Sequence, residues 1–246
     1  MIKSSNLSFC YPGSTRDSLH DLNFTVPKGS LACLLGSNGS GKSTLLALLA
    51  GLYRPALGSL EVGGYPADKQ QREIRAICAL VPQNPDLYLL GSTLREDLYL
   101  GLPPRQDKAE EKARAERICA AMGLGDLLDE PVQTLSFGQR RKASLASALM
   151  RRPALLLLDE PFSGLDFSAQ LHLRSLLTKL RQQGTTQVIA THDLDMTGDL
   201  ANSFFLLKDG LLFAKGTQKE VFPCLEKADV RPPCWWLHGA CGPLFP

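Results

Sequence analysis

The chain has 246 residues, 44% of them hydrophobic and 21% charged, with a formal net charge of +2 at pH 7. This is the profile of a globular protein with one sizeable core and a smaller appendage. The near-balanced charge, with no block of five or more like charges, argues against a nucleic-acid or anionic-membrane surface. Apolar runs such as residues 44–52 and 154–158 fall short of the roughly 20 residues that a spanning helix needs, and MIKSSNLSFCY at the N-terminus has no apolar signal core, so an intracellular protein is expected.

Residues 1–36 alternate apolar and polar as strands do, with turns at 11–17 and 27–30, and LACLL (31–35) reads as a buried strand running into Gly36. A helix is expected from Lys42 to about Gly51, then short strands near 59–62 and 76–81. From Thr93 to Met150 the chain reads as mostly helical, including a charged, Ala-rich stretch over 107–123 that ends on a glycine cap. Strand character returns at 154–160, followed by a helix over about 168–183, a strand at 186–191 and a hairpin over 203–216 turning at Asp209-Gly210. Strands alternating with helices imply an α/β fold with a parallel sheet, interrupted by a helical insertion at about 86–150. From about Glu226 the chain is rich in Pro, Cys and Trp and reads as irregular.

Seven cysteines, at 10, 33, 78, 119, 224, 234 and 241, lie mostly in apolar settings without a Cys-x-x-Cys pair. Reduced, buried thiols are one reading. The other is that Cys234, His238 and Cys241, with Cys224 upstream, supply soft metal ligands, at a spacing that fits no common zinc module.

GSNGSGKS at 36–43 matches G-x-x-x-x-G-K-[ST] between a predicted strand and a predicted helix, the context the motif requires. Glycines at 36, 39 and 41 let the backbone wrap closely enough for its N–H groups to face phosphate oxygens, and the helix N-terminus adds positive potential. The predicted phosphate-binding segment is Gly36, Ser37, Asn38, Gly39, Ser40, Gly41, Lys42, Ser43 and Thr44. Lys42 would reach the β- and γ-phosphates and Ser43 would ligate Mg2+. The bland alternative is a glycine-rich turn. LLLLDE (155–160) puts Asp159 and Glu160 at the end of a buried strand, where ligands bind in open α/β sheets. Asp159 would support the metal, directly or through water, and Glu160 would be the general base; solvated turn acids are the alternative.

LSFGQRRKASLASAL (135–149) starts a helix with Arg140, Arg141 and Lys142 against the helix macrodipole, which calls for a nearby anion. With this segment, the Gln of LVPQNP (80–85), SGLD (163–166) and the His of ATHD (190–193), the chain from about residue 2 to 222 resembles the nucleotide-binding subunit of ATP-binding cassette (ABC) transporters. The resemblance implies a P-loop NTPase, RecA-like core with a mainly parallel sheet, an N-terminal antiparallel β subdomain and a helical insertion. The cassette would cover 1–225 and leave a tail at 226–246.

Carried over by resemblance, Tyr11 stacks on adenine, Gln83 touches magnesium and water and senses a transmembrane partner, and His192 contacts the γ-phosphate. The loop from Ser163 to Asp166 crosses between subunits. Ser136, Gly138 and Gln139 would bind the γ-phosphate of ATP held by the opposite subunit, so the missing anion comes in trans. The working unit is then a dimer, either of this chain or with a second ABC ATPase subunit. Phe137 stands where glycine is usual, as in cassette subunits of energy-coupling-factor importers of cobalt and nickel; FCYPG (9–13) and KDGLLFAKGTQKEVF (208–222) lean the same way. Leu87, Tyr88, Leu89 and Leu90 suit a groove for a partner's helix or, alternatively, pack the insertion on the core. A peripheral place on the cytoplasmic face of the membrane is implied, with no nucleic-acid partner. The competing readings are an ATPase subunit of another ABC importer or exporter, a soluble cassette ATPase acting on DNA or ribosomes, and a small-molecule kinase.

Overall fold

In the computed structural model, which describes residues 1–14, 17–100, 102 and 108–237, the strands form two sheets. Strands β1 (Ile2–Phe9), β2 (Leu19–Val26), β4 (Leu57–Val62) and β5 (Tyr65–Pro66) make an antiparallel sheet in the order β2-β1-β4-β5. Ile2, Leu7 and Phe9 of β1 point inward while Lys3 and Ser5 face solvent, the period-two pattern of a half-covered sheet. The register slips between Ser4 and Leu7, where Asn6 takes a left-handed φ of 50°. Gly58 opposes that bulge at φ 74°, and a Cβ on it would lie 2.1 Å from the Asn6 carbonyl oxygen, so only glycine fits.

The second sheet runs β10-β9-β3-β8-β7-β6. Strands β3 (Leu31–Leu35), β6 (Cys78–Val81), β7 (Leu155–Asp159), β8 (Thr186–Thr191) and β9 (Ser203–Lys208) are parallel, and β10 (Leu211–Gly216) closes a hairpin with β9. Strands β3 and β8 are buried along their whole length because both faces of the sheet are covered. The sheet is the wall between two cores. Leu31, Cys33 and Leu35 project into one, with the helical insertion; Ala32 and Leu34 project into the other, with helix α1 (Lys42–Leu49) and the antiparallel sheet.

The predicted strand at 76–81 is shorter than expected. Residues Gln71–Ile77 form helix α2, with Ile74 fully buried, and Ile74 and Ile77 at helical spacing outweigh the apolar run that suggested an earlier strand. The insertion holds helices α3 (Leu94–Tyr99), α4 (Lys108–Met122) and α5 (Phe137–Met150). Asp97, almost fully buried, locks it. One carboxylate oxygen accepts the Leu90 and Gly91 N–H groups at 2.7 and 3.1 Å, and the other accepts Ser147 Oγ of α5 at 2.5 Å. Helix α6 (Phe167–Gln182) packs Leu173 and Leu177 on the same core.

After the hairpin come helix α7 (Gln218–Val221) and the tail read as irregular. Over residues 226–237 that expectation is corrected: a 3-10 turn, Glu226–Ala228, and a short helix α8, Cys234–Leu237, bury Ala228, Val230 and Trp235 in the main core. Trp235 packs tilted against Phe222, with ring centroids 5.9 Å apart, and Phe222 meets Phe204 edge-on at 5.0 Å, so apolar burial fixes a segment that turn-rich composition had marked as loose. Cys33, Cys78 and Cys119 are buried, and burial pushes their thiols up to about 12, about 12 and about 11, as expected of inert core cysteines. His238 and Cys241 lie outside the described residues, and among the described residues no cluster of His, Cys, Asp and Glu is placed to hold a metal.

Trp235→Ala should lower unfolding stability by about 3 kcal/mol, read as a shift in denaturant midpoint at unchanged slope. A midpoint equal to that of the unsubstituted chain would mean that the tail is not part of the core.

Candidate functional site

The parallel sheet delivers four of the predicted motifs to one edge. Leu35 at the end of β3 pairs with Thr191 at the end of β8, Asp159 at the end of β7 pairs with Ala190, and Val81 at the end of β6 pairs with Leu158. The segments that leave these strands carry Gly36 to Ser43, His192, Glu160 and Gln83. A cleft of about 550 Å3 opens there, lined by Asn38, Gly39, Gly41, Lys42, Ser43, Thr44, Gln83, Asp159 and Glu160, together with Ser14, Asp17, Ser18, Asp209 and Gly210. The last five escaped the sequence reading. The Asp209-Gly210 pair signalled only a turn, yet Gly210 N donates to Ser40 O at 3.2 Å and so braces the loop.

The loop 36–41 is glycine where the backbone demands it. Gly36 has φ 152°, and a Cβ there would meet Ser40 Oγ at 2.4 Å; Gly41 has φ 103° and begins α1 with no room beside Leu19. Ser37, Asn38 and Gly39 form the open rim, while Ser40 is buried beneath it. Lys42 is buried, and its Nζ donates to Gly36 O at 2.7 Å and Ser37 O at 3.0 Å, across the hollow of the loop. Burial pushes the pKa of this ammonium down, opposed by the carboxylates of Glu160 and Asp159. The Ser43 hydroxyl donates to Asp159 Oδ2 at 2.7 Å, joining the two motifs in one contact. Tyr11 OH lies 3.0 Å from Thr44 Oγ1, and its ring stands edge-on to Phe9 at 5.0 Å and Tyr53 at 5.4 Å, an aromatic nest of which the sequence reading named only Tyr11.

Burial raises the pKa of Asp159, and Glu160 adds to the rise; the Ser43 hydrogen bond and the charges of Lys42 and Arg141 oppose it. Glu160 is only 6% exposed and has a left-handed φ of 46°, a conformation that costs a non-glycine residue about 1–2 kcal/mol and collects at functional sites. Its N–H donates to Ala190 O at 2.8 Å. Its carboxylate accepts Thr191 Oγ1 at 3.0 Å and His192 N at 3.1 Å, and lies 2.6 Å from His192 Nδ1. Glu160 and His192 are thereby one unit, oriented by Thr191, whose role nothing in its β-strand position announced.

Ser136 caps α5 in a reciprocal box: its Oγ accepts Gln139 N at 3.2 Å and its N–H donates to Gln139 Oε1 at 2.7 Å. The Gln139 amide N–H2 is not consumed by this cap. Asp166 caps α6 by accepting Ala169 N at 2.7 Å. Ser136, Gly138, Gln139 and Asp166 do not line the cleft of their own chain. Two of the three cations of the helix start, Arg140 and Arg141, are satisfied internally. Arg140 pairs with Asp86 at 2.9 Å and donates to Leu135 O. Arg141 turns inward to main-chain oxygens of Pro161, Gln83 and Asp159. Gln83 itself is exposed on the cleft. Of the apolar cluster after it, Leu87 and Leu90 are 74% and 81% exposed, whereas Leu89 is buried and Tyr88 half-buried against the core. The groove reading thus falls to two leucines, and the packing reading to the other two.

The sequence model of the ABC transporter family matches residues 19–163. The cobalt import ATP-binding protein CbiO of Rhodobacter capsulatus is 37% identical over 240 residues, covering 95% of this chain and 85% of the relative. The energy-coupling factor transporter ATP-binding protein EcfA of Methanocaldococcus jannaschii is 36% identical, with 95% and 86% covered. Among solved structures, cbiO1 from Clostridium perfringens, part of the transporter complex cbiONQ, superimposes with a TM-score of 0.79 at 28% identity, with 94% of each chain covered. A dimeric ATP-binding cassette in a post-hydrolysis state bound to ADP and Pi superimposes with a TM-score of 0.80 at 25% identity, over 88% of this chain and 98% of that one. With its P-loop, paired acids and capped helix in the family's order and on the family's fold, the chain belongs to the ABC transporters, as an ATP-binding ATPase subunit.

Proposed function

We propose that this ATPase powers an importer of the energy-coupling-factor type whose cargo is a transition-metal ion, cobalt or nickel. The observation that carries the reading is the likeness, over nearly the whole chain, to a cobalt import ATP-binding protein and to an energy-coupling factor subunit. Phe137 in the capped segment fits the same type. No helix among the described residues is long and apolar enough to cross a membrane, so a peripheral subunit docked on a membrane partner, at the cytoplasmic face, suits the chain.

ATP would lie with its phosphates in loop 36–43, its γ-phosphate towards Lys42 and His192 and its base near Tyr11. Ser43 Oγ, the Asp159 carboxylate and the Gln83 side chain form a set of oxygen donors on one wall of the cleft, with two of them already 2.7 Å apart. Such a set fits Mg2+, which when bound offsets charge on the β- and γ-phosphate oxygens. Glu160 takes the proton of the attacking water, and its bonds to Thr191 and His192 fix the carboxylate so that little reorganisation is left for the reaction. Ser136, Gly138 and Gln139 present a hydroxyl, a backbone N–H and an amide at a helix start away from their own cleft, which suits a phosphate bound by a second cassette, in a homodimer or a heterodimer.

Glu160→Gln should retain ATP binding and abolish turnover, falling at least about 100-fold in kcat, whereas Lys42→Ala should weaken nucleotide binding itself. Steady-state ATPase assays beside equilibrium binding separate the two; wild-type turnover in Glu160→Gln sinks its assignment as base.

Leu87 and Leu90, beside a hollow lined by Asp86, Leu89, Val132, Gln133 and Arg140, would receive a helix of the membrane subunit. Leu90→Asp should abolish co-purification with that subunit without shifting the melting temperature. Leu89→Asp should unfold the insertion instead; equal effects of the two substitutions would remove the docking assignment.

Cells expressing the chain with its membrane partners should take up radioactive cobalt or nickel in an ATP-dependent manner, and Glu160→Gln should abolish the uptake. Uptake of an organic cargo with no metal flux would contradict the cargo assignment.

A further inference from the structure

Arg141 lies one turn after Phe137 in α5, and it is 5% exposed. A guanidinium buried this deeply is tolerated only when its donors are used. Each of its three nitrogens donates to a main-chain oxygen of a different residue: Nε to Pro161 at 3.2 Å, one Nη to Gln83 at 3.0 Å and the other to Asp159 at 3.3 Å. These are the residue lining the cleft after β6, the acid that meets Ser43, and the residue that follows Glu160. A planar fork reaches three carbonyls from one place; the point charge of a lysine does not hold them in a common frame.

The Phe137 ring lies over this guanidinium, with 6.0 Å from Cζ to the ring centroid, within the range of a cation–π contact. The same ring presses on Gly164 of the SGLD loop. A Cβ on Gly164, which holds a left-handed φ of 72°, would stand 2.8 Å from Phe137 Cε1, so the ring lies directly against the glycine backbone. Phe137 stays 43% exposed, so burial alone does not explain where the ring sits.

We propose that Arg141 is a positioning residue for ATP hydrolysis: clamped beneath Phe137, which rests on Gly164, its guanidinium holds the main chain of Gln83, Asp159 and Pro161 in one frame and so sets where Asp159 and Glu160 stand beside the P-loop. A shift of α5 or of the SGLD loop is thereby transmitted to the acids. The proposal rests on the reading of Glu160 as the base. A lysine at 141 would retain the positive charge without the planar fork that reaches three carbonyls. Geometry and charge are therefore separable by substitution.

The test is steady-state ATPase kinetics of the full chain, with equilibrium binding of ATP and thermal melting measured on the same samples. Arg141→Lys should lower kcat about tenfold or more while KM and ATP affinity stay within about threefold, because misplacing the acids affects the transition state more than binding. A kcat within twofold of the unsubstituted chain, or a loss that follows affinity or melting temperature, overturns the proposal. Phe137→Ala should also lower kcat, by removing the ring that holds Arg141 in place. Combining it with Arg141→Lys should cost no more than Arg141→Lys alone, and additive losses overturn the clamp. Glu160→Gln run in parallel separates the two layers: wild-type turnover there overturns the underlying reading of the base, whereas a dead Glu160→Gln beside an unimpaired Arg141→Lys overturns the proposal alone.

Discussion

The register of four neighbouring parallel strands is the constraint from which the site follows. Leu35 opposite Thr191, Ala190 opposite Asp159 and Leu158 opposite Val81 bring β3, β8, β7 and β6 to a common edge, so the residues just beyond β3, β7 and β6 line one cleft and His192, beyond β8, joins it through Glu160. That register is held by apolar side chains on both faces: Leu156 and Leu158 point into the core of the insertion, Leu155 and Leu157 into the core of α1 and the antiparallel sheet. A slip of one residue in any strand would exchange its two faces and move its motif out of the cleft. Stability and chemistry thus depend on the same strand pairs.

The cleft uses the ends of that sheet in different ways. Glycine at 36 and 41 lets the chain curl where a side chain would collide with Ser40 or Leu19. Glu160 carries backbone strain instead, compensated by bonds to Ala190, Thr191 and His192. The helix that begins at Ser136 is fastened to the same edge from outside. Its capping box settles the first turn, Arg140 reaches Asp86, and Arg141 reaches the carbonyls behind the acids. The basic start of that helix, which opposes its macrodipole, is therefore answered within the chain at Arg140 and Arg141.

Much of this was legible in the sequence because short-range rules governed it. The loop 36–43 carries its own geometry in its glycines, and the apolar runs at 31–35 and 155–158 can only be buried strands once helices flank them. What escaped reading depended on contacts between distant segments. Thr191 looks like any β-branched strand residue until Glu160 is placed beside it, and Asp97 like a surface acid until Ser147 and the Leu90 and Gly91 amides close on it. Trp235 sits in a segment whose prolines suggest a loose tail, yet it seats against Phe222, more than ten residues earlier in the chain and fixed by β9. The apolar cluster 87–90 split for a similar reason: periodicity shows that four residues are apolar, while the path of the turn decides which two face water.

The central claim, that the ends of four strands converge on one ATP and that the helix start at Ser136 completes a site on another cassette, is tested most directly by a structure of the Glu160→Gln chain bound to Mg2+ and ATP. The account predicts phosphates cradled by residues 36–43, with Gln83, Asp159 and His192 of the same chain around the γ-phosphate and Ser136 and Gly138 of a second cassette closing over it. A nucleotide seated away from the strand ends, or one enclosed by the capped helix of its own chain, would contradict it.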